Sequence, residues 1–553
     1  MKHFSLPAET GFTTNTLILA VAAFLLAFSN GSLVSRVLEI YPLNAGHAPA
    51  VLSLALTIGG ITVLVLGLLC FKRSTKPVLI TLLLLSSLSA YFMDSYGVII
   101  SDDMLRNVAH TNPSEALDLF SWKLLVYLGL LGIAPAAAVA WVPVHWRGWR
   151  RETVARLKLL GITLALAIGT ALLFGGFYAS FLREHKELRQ RANPVYFMSS
   201  VIKFAMQSFV STSTGPMVVV GADALIPTTD QTRELVILIV GETARADHFS
   251  LNGYARDTNP RLREKNVYSF ANFSACGTST AVSVPCMFML DGETKNTLEI
   301  NKQENLLDVL QRSGVNVLWR DNNSDSKGVA SRVQYEDYRS PKINPVCDTE
   351  CRDEGMLVGL QQYIDLHPRG DILIVLHQMG NHGPAYHKRY PPAFEKFTPT
   401  CKESDLSRCS REEIVNAYDN AILYTDHFLA KAIELLQKND SKFETGLFYI
   451  SDHGESLGEN GLYLHGLPKS FAPEAQLRVP AVMWFGSSFH AVTPPALREK
   501  SKTHLSHDNI FHTILGFFEI ESETYRPAKD ILNEAKPVKK KWLADESTPP
   551  LRP

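Results

Sequence analysis

Four short polar clusters in the second half of the chain carry the side chains best suited to chemistry. Each follows a run of apolar residues. They are Glu242 and Thr243; Asp321, Asn322 and Asn323; His377, Asn381 and His382; and Asp452, His453 and Glu455. Glu242 with the adjacent pair Asp452 and His453 offers two carboxylate oxygens and an imidazole nitrogen, a donor set that suits four-coordinate zinc. Magnesium would prefer oxygen ligands and retained water. Three such ligands leave a fourth position for something reactive. The segment CGTSTAVSVPC, from Cys276 to Cys286, supplies hydroxyls for it. A hydroxyl bound to zinc loses its proton more easily and becomes a nucleophile near neutral pH. Away from a metal, the same hydroxyls would only cap the helix that follows.

These clusters need a scaffold that brings them to one place. The runs before them, Leu235–Val240, Val315–Trp319, Ile372–Leu376 and Leu447–Ile450, and a fifth at Val479–Trp484, are short and fully apolar. That pattern predicts strands buried on both faces, hence a mainly parallel sheet covered by helices. The amphipathic stretch Ile414–Leu436 supplies one of those helices. In open α/β sheets, ligands bind beyond the carboxyl ends of the strands. Four strands ending in reactive residues therefore predict one site at that rim.

The first half has a different character. Five uncharged apolar runs, Leu17–Val34, Val51–Phe71, Pro77–Met93, Leu124–Val144 and Leu159–Leu182, stand in series. Each approaches the roughly 20 residues that a helix needs to cross a bilayer. One set of flanks carries Lys2, Lys72, Arg73, Lys76, Arg147, Arg150, Arg151, Arg156 and Lys158, and the other only Arg36, Arg106 and Lys123. The more basic set is expected in the cytoplasm. Five crossings then place the chain beyond Leu182 outside, which in a Gram-negative cell is the periplasm. The expected division is a five-helix transmembrane domain over 1–182, interfacial helices and a linker over 183–232, a catalytic domain over 233–540 and a loose tail over 541–553. In the linker, Tyr196 to Met206 carries apolar residues at helical spacing, which fits either the membrane–water boundary or the soluble domain. In the outer loop, Asn107, Thr111 and Glu115 are four apart and would share a face on a helix.

Composition agrees with a membrane enzyme exported to an oxidising space. The 553 residues are 46% hydrophobic, and 54 Lys and Arg balance 55 Asp and Glu, which excludes the basic surface that a nucleic-acid partner requires. Of seven cysteines, Cys70 lies in an apolar run. Cys276, Cys286, Cys347, Cys351, Cys401 and Cys409 lie in the exported half as three close pairs. Such spacing favours pairing between neighbours in an oxidising compartment, and the absence of any CxxC argues against a thiolate metal site.

Five strings add a resemblance. VGETARADHFSLNGY from Val240, CGTSTAVSVPCMF from Cys276, DNNSDSKG from Asp321, MGNHGPAY from Met379 and SDHGESLGENGLYLHG from Ser451 resemble those of the lipid A phosphoethanolamine transferases, in particular the mobile colistin-resistance type. The likeness extends through the five crossings and the Asn107, Thr111 and Glu115 loop. It implies a sulfatase/alkaline-phosphatase-like α/β/α domain with Thr280 as nucleophile. Glu242, Asp452 and His453 would bind one zinc together with Thr280. His382 and His465 match positions for a second metal or the phosphoethanolamine group, Asn323 and Lys327 match positions near the substrate, and the six exported cysteines pair as neighbours. The implied donor is phosphatidylethanolamine, the acceptor is a phosphate of lipid A, and the membrane is the bacterial inner membrane. A donor-contacting role follows for Asn107, Thr111 and Glu115, polymyxin resistance follows as a consequence, and a monomer is expected. The nearest alternative is a phosphoglycerol transferase or other phosphodiesterase of the same fold. A formylglycine sulfatase would need Cys-x-Pro-x-Arg, whereas Thr278 and Thr280 follow Cys276, and Phe288 and Leu290 follow Cys286, at those offsets.

Overall fold

The computed structural model describes residues 11–111, 113–211, 216–294, 300, 302–489 and 494–533; Lys2 and the 541–553 tail lie outside them. The N-terminal half is helical. α3 (Ala48–Leu69), α4 (Thr75–Tyr96), α7 (Trp122–Trp141) and α8 (Trp149–Leu173) are each long and apolar enough to cross a membrane. The first apolar run is not one straight helix. α1 (Thr14–Phe28) and α2 (Gly31–Ile40) meet at a 58° bend, so the crossings number five when this pair is one span. Backbone groups freed at the break find a partner in Asn193. Its N–H donates to Asn30 Oδ1 at 2.9 Å, Asn30 Nδ2 donates to its carbonyl at 2.7 Å, and its own Nδ2 donates to Ser29 O at 3.1 Å. A break between two apolar helices is steadied when its polar groups are satisfied internally in this way. The last run also divides differently. α8 starts at Trp149, ten residues before the apolar run, and ends at Leu173, and Gly175 and Gly176 open a separate helix, α9 (Gly175–Glu184). Along α8, Leu164, Leu166, Ile168 and Leu172 are all exposed, which suits hydrocarbon rather than water.

The outer loop contains α5 (Asp102–His110) and α6 (Pro113–Asp118). The single helix expected to align Asn107, Thr111 and Glu115 is absent. Thr111 is the C-cap of α5, with ψ 132°, and Pro113 begins the next helix, because the ring of a proline disfavours helix just before it. α10 (Val195–Ser211) follows the linker. Phe197 points inward to a buried cluster shared with Tyr91 and Tyr96, whereas Ile202 and Met206 are exposed. The helix thus has one face on the protein and one greasy face outward.

The second half is an eight-stranded sheet. Its strands are β1 (Glu234–Gly241), β2 (Tyr268–Ser274), β3 (Asn316–Asp321), β4 (Gln334–Asp337), β5 (Ile372–His377), β6 (Glu444–Ser451), β7 (Arg478–Phe485) and β8 (Leu505–Ser506). Their order is β8-β2-β7-β6-β1-β5-β3-β4. All pairings are parallel except those of β7, which runs antiparallel to both β2 and β6. Every residue of β1 and β5 is buried, as the apolar runs predict. The sheet separates two apolar clusters, one built on Val236, Leu238 and Val240 and the other on Leu235, Ile237 and Ile239. Helices cover both faces. α11 (Thr280–Phe288) packs on the first cluster, and α12 (Arg411–Asn439) on the second. α12 begins with a capping box in which Ser410 and Glu413 satisfy each other's backbone N–H groups.

Cys276–Cys286, Cys347–Cys351 and Cys401–Cys409 are disulfides, and Cys70 is free and buried. A thiol-alkylating mass tag applied to intact cells should leave these six unlabelled until a reductant is added. Labelling without reductant would contradict the pairing.

Candidate active site

The register of the sheet assembles the site. β1 and β6 are paired so that Gly241 lies opposite Ser451, and the next residues along, Glu242 and Asp452, come out side by side. The Asp452 N–H donates to Gly241 O at 2.9 Å, extending the ladder by one step. On the other side of β1, Gln378 N donates to Val240 O at 3.0 Å and Asn381 N donates to Glu242 O at 3.1 Å, which brings in the loop after β5. Gly454 lets the chain after His453 pass against its neighbour, since a Cβ there would lie 2.0 Å from Ala475 O.

Thr280 is the first residue of α11, where free backbone N–H groups favour negative charge. Its hydroxyl is not a cap. Oγ1 donates to Glu242 Oε2 at 3.1 Å and lies 3.4 Å from His453 Nε2. Thr278 turns away, donating to Leu467 O at 2.6 Å. His453 Nε2 is in turn 3.4 Å from Glu242 Oε1 and 3.3 Å from Asp452 Oδ2. Thr280 and the three expected ligands therefore meet at one point, and all four are buried.

The electrostatics of this point suit a cation. Glu242 Oε1 and Asp452 Oδ2 are buried without a hydrogen-bond partner. Burial, then the neighbouring Asp452, pushes the Glu242 carboxyl up to about 8. Burial likewise raises Asp452 to about 7 and lowers His453 to about 4. Two carboxylates and a neutral imidazole, with donor atoms within 4.8 Å of one another, form a set that a divalent ion would complete. Asn323 supports it from β3, its Nδ2 donating to Glu242 Oε2 at 2.8 Å and to Gln378 O at 2.7 Å.

A second cluster adjoins the first. His465 Nδ1 is 2.8 Å from Glu455 Oε2, and Tyr386 donates to Glu455 Oε1 at 2.7 Å. The His465 ring lies 4.3 Å from that of His453 and 5.6 Å from that of His382. Burial holds both His382 and His465 below the usual histidine range. Lys327 Nζ donates to Ser324 Oγ at 2.6 Å and to the carbonyl of His110, on α5, at 3.4 Å. Burial pulls Lys327 down, while Asp325 and Glu115 oppose it. Thr243, Lys327 and Leu464 adopt positive φ, and each is a site residue or the immediate neighbour of one.

Thr280, Lys327, His382 and His465 line one narrow cavity, and Asn107, Thr111 and Glu115 line it from the N-terminal half. The three loop residues thus converge although they share no helix. Phe92, Val98 and Ile100 add an apolar side.

Comparison with known proteins matches this arrangement. Residues 234–520 match the sulfatase family, and residues 58–209 match the family described as phosphoethanolamine transferase EptA/EptB. Over 536 residues the chain is 42% identical to phosphatidylethanolamine transferase Mcr-1 of Escherichia coli, covering 95% of this chain and 98% of that one. It is 39% identical over 532 residues to phosphoethanolamine transferase EptA of the same species, covering 94% and 97%. The solved integral membrane protein lipooligosaccharide phosphoethanolamine transferase A from Neisseria meningitidis superposes with a TM-score of 0.90 at 33% identity, over 94% of this chain and 98% of that chain. The chain belongs to the phosphoethanolamine transferase family.

Within this transferase, two groups near the centre gain a specific place only from the structure. Glu455 joins His453 and His465 in a second set of donor atoms within 4.8 Å; its place two residues after His453 was the available signal. Arg389 is fully interior and joins both halves. It donates to Asp118 of α6 at 2.5 Å and to the carbonyl of His382 at 2.6 Å, and it pairs with Glu350. Nothing in its sequence context marks it. Purified transferase should carry a divalent transition metal, and Glu242→Ala or Asp452→Ala should lose most of it by elemental analysis. Full metal content in either variant would remove these residues from the ligand set.

Proposed function

We propose that the protein transfers phosphoethanolamine from phosphatidylethanolamine to a phosphate of lipid A in two steps through Thr280. The observation that carries this reading is the placement of the Thr280 hydroxyl, 3.1 Å from Glu242 and 3.4 Å from His453, in a cavity walled partly by the N-terminal half. Glu242, Asp452, His453 and the Thr280 oxygen would hold zinc, which when bound supplies Lewis acidity and favours loss of the hydroxyl proton.

In the first step the Thr280 oxygen attacks the phosphorus of the donor in line. The bond from phosphorus to the glycerol oxygen breaks, and the proton given up by the Thr280 hydroxyl passes to that oxygen, so diacylglycerol leaves as the neutral alcohol. This gives a phosphoethanolamine ester on Thr280. Lys327 lines the cavity and offsets charge on the phosphoryl oxygens. His382 and His465 line the cavity, and a neutral imidazole can give a proton at one nitrogen and take one at the other. Glu455 engages Nδ1 of His465, which leaves Nε2 as its free nitrogen. In the second step a lipid A phosphate oxygen attacks the same phosphorus and Thr280 is regenerated. Glu115, on the cavity wall, supplies the negative charge that an ethanolamine ammonium requires.

The likeness to phosphatidylethanolamine transferase Mcr-1 supports this donor, the likeness to the integral membrane lipooligosaccharide phosphoethanolamine transferase A supports a glycolipid acceptor, and the likeness to the periplasmic domain of EptC supports a catalytic half in the periplasm. Masking lipid A phosphate with an amine lowers the surface charge that attracts cationic peptides, so polymyxin resistance follows.

Intact-mass measurement of donor-loaded protein should show a phosphoethanolamine adduct on Thr280. Thr280→Ala should lose the adduct and lower transfer on the order of 10³-fold or more. An adduct on the alanine variant would reject the assignment. Glu115→Ala should raise the donor requirement while metal content stays normal; unchanged donor turnover would remove Glu115 from the donor contacts.

A further inference from the structure

A second cavity, of about 370 Å³, opens at the bend between α1 and α2, away from Thr280. Its walls include Ser32 and Arg36 of α2, Asp94 and Gly97 at the end of α4, Tyr127 of α7, and Arg191. Arg191 is the unusual member. It is only 2% exposed, and among the described residues no carboxylate lies within ion-pair distance, although Glu187 and Asp94 act on it from further off. Nη1 donates to Ser32 Oγ at 2.7 Å and Nη2 to Gly97 O at 3.0 Å, while Nε has no partner. Its hydrogen bonds go to neutral oxygens, and Glu187 and Asp94 offset its burial only from beyond hydrogen-bond reach, so the unbonded Nε–H suits an anionic oxygen. Arg36 adds a second cation, partly exposed and paired with Glu39 at 3.0 Å. Asp94 supplies the opposite sign, accepting from Ser32 N at 2.6 Å and Tyr127 OH at 3.1 Å.

The position fixes the class of ligand. Gly461, from the catalytic half, also lines the cavity, so it lies at the outer end of the helices, at headgroup level. Two arginines and one aspartate around one space match a phosphodiester with an ammonium close by. From this we infer a lipid-binding site, distinct from the catalytic cavity, for the headgroup of a zwitterionic aminophospholipid, with its phosphate on Arg191 and Arg36 and its ammonium toward Asp94. The bound lipid would also contact the turn between Glu459 and Gly461, whose Asn460 carbonyl accepts from Arg36. That turn leads into His465, so occupancy would steady the catalytic half against the leaflet. The inference stands whether or not phosphatidylethanolamine is the donor at Thr280.

The test is native mass spectrometry of the full chain, carrying Thr280→Ala to prevent turnover, released from nanodiscs of mixed phosphatidylethanolamine and phosphatidylglycerol. One phosphatidylethanolamine should persist that Lys327→Ala does not remove. Arg191→Gln should lower its retention about tenfold or more, as expected for loss of a charge-assisted contact. Asp94→Asn should keep a lipid but shift the preference toward phosphatidylglycerol, and it decides the matter should Arg191→Gln fail to fold. Equal retention in folded Arg191→Gln, a wild-type preference for phosphatidylglycerol, or an unchanged preference in Asp94→Asn would overturn the proposal. Displacement by inorganic phosphate would reduce the site to an anion pocket and overturn it equally.

Discussion

Two carboxylates forced together in a dry place are the constraint around which the catalytic half is built. Glu242 and Asp452 stand at the ends of adjacent parallel strands, both fully buried, with one oxygen of each left unbonded. Like charges at that distance in low dielectric repel strongly. The bare pair therefore sheds charge toward neutrality, which is the sense of the upward shifts at both residues. A cation reverses that balance and binds the more firmly for it. The strands cannot relax the pair, because the register of β1 with β6 is fixed over eight residues and both strands are packed on both faces. A slip of one residue would turn the whole apolar set inside out. Stability of the sheet and preorganisation of the metal donors are thus one property.

The same logic extends outward through buried charge. Asp321, at the end of β3, takes His377 Nδ1 at 2.9 Å and Trp319 Nε1 at 2.8 Å, tying neighbouring strand ends behind Asn323. Arg389 does this across the two halves, with Asp118 on one side and the carbonyl of His382 on the other. Removing one partner of such a buried pair typically costs about 3–5 kcal/mol, because the other charge is left stranded. The loop of the helical half is therefore held to the catalytic cavity by a contact that also sets the position of a cavity histidine.

Much of this was legible in the sequence, for identifiable reasons. β1, β3, β5, β6 and β7 announce themselves because strands buried on both faces must be apolar throughout. β2 does not, since only Phe270 and Phe273 of its seven residues are buried, and β4 is largely exposed. The donor set was visible because Glu242, Asp452 and His453 follow those strands directly. The bend at Asn30 was hidden, since its compensation comes from Asn193, far along the chain. The break at Pro113 was written in the sequence, but the spacing of Asn107, Thr111 and Glu115 outweighed it. Their convergence depends instead on how α5 and α6 fold over the cavity, which no local period encodes. Arg389 and Arg191 stayed invisible because a buried arginine is defined by partners that only the tertiary structure assembles.

The division of labour between the halves follows from where each group originates. Every donor atom around Thr280 comes from the sheet and its loops, so the candidate metal site is a property of the catalytic half. The cavity wall is not: Asn107, Thr111 and Glu115 come from a loop between two apolar helices, and Lys327 reaches back to the carbonyl of His110 on it. On the proposed function, a headgroup entering the cavity would leave its acyl chains among the helices that carry that loop. Selection for a lipid then needs no separate acyl-binding groove in the catalytic half, because joining the two halves confines the reactive oxygen to the layer where headgroups are concentrated.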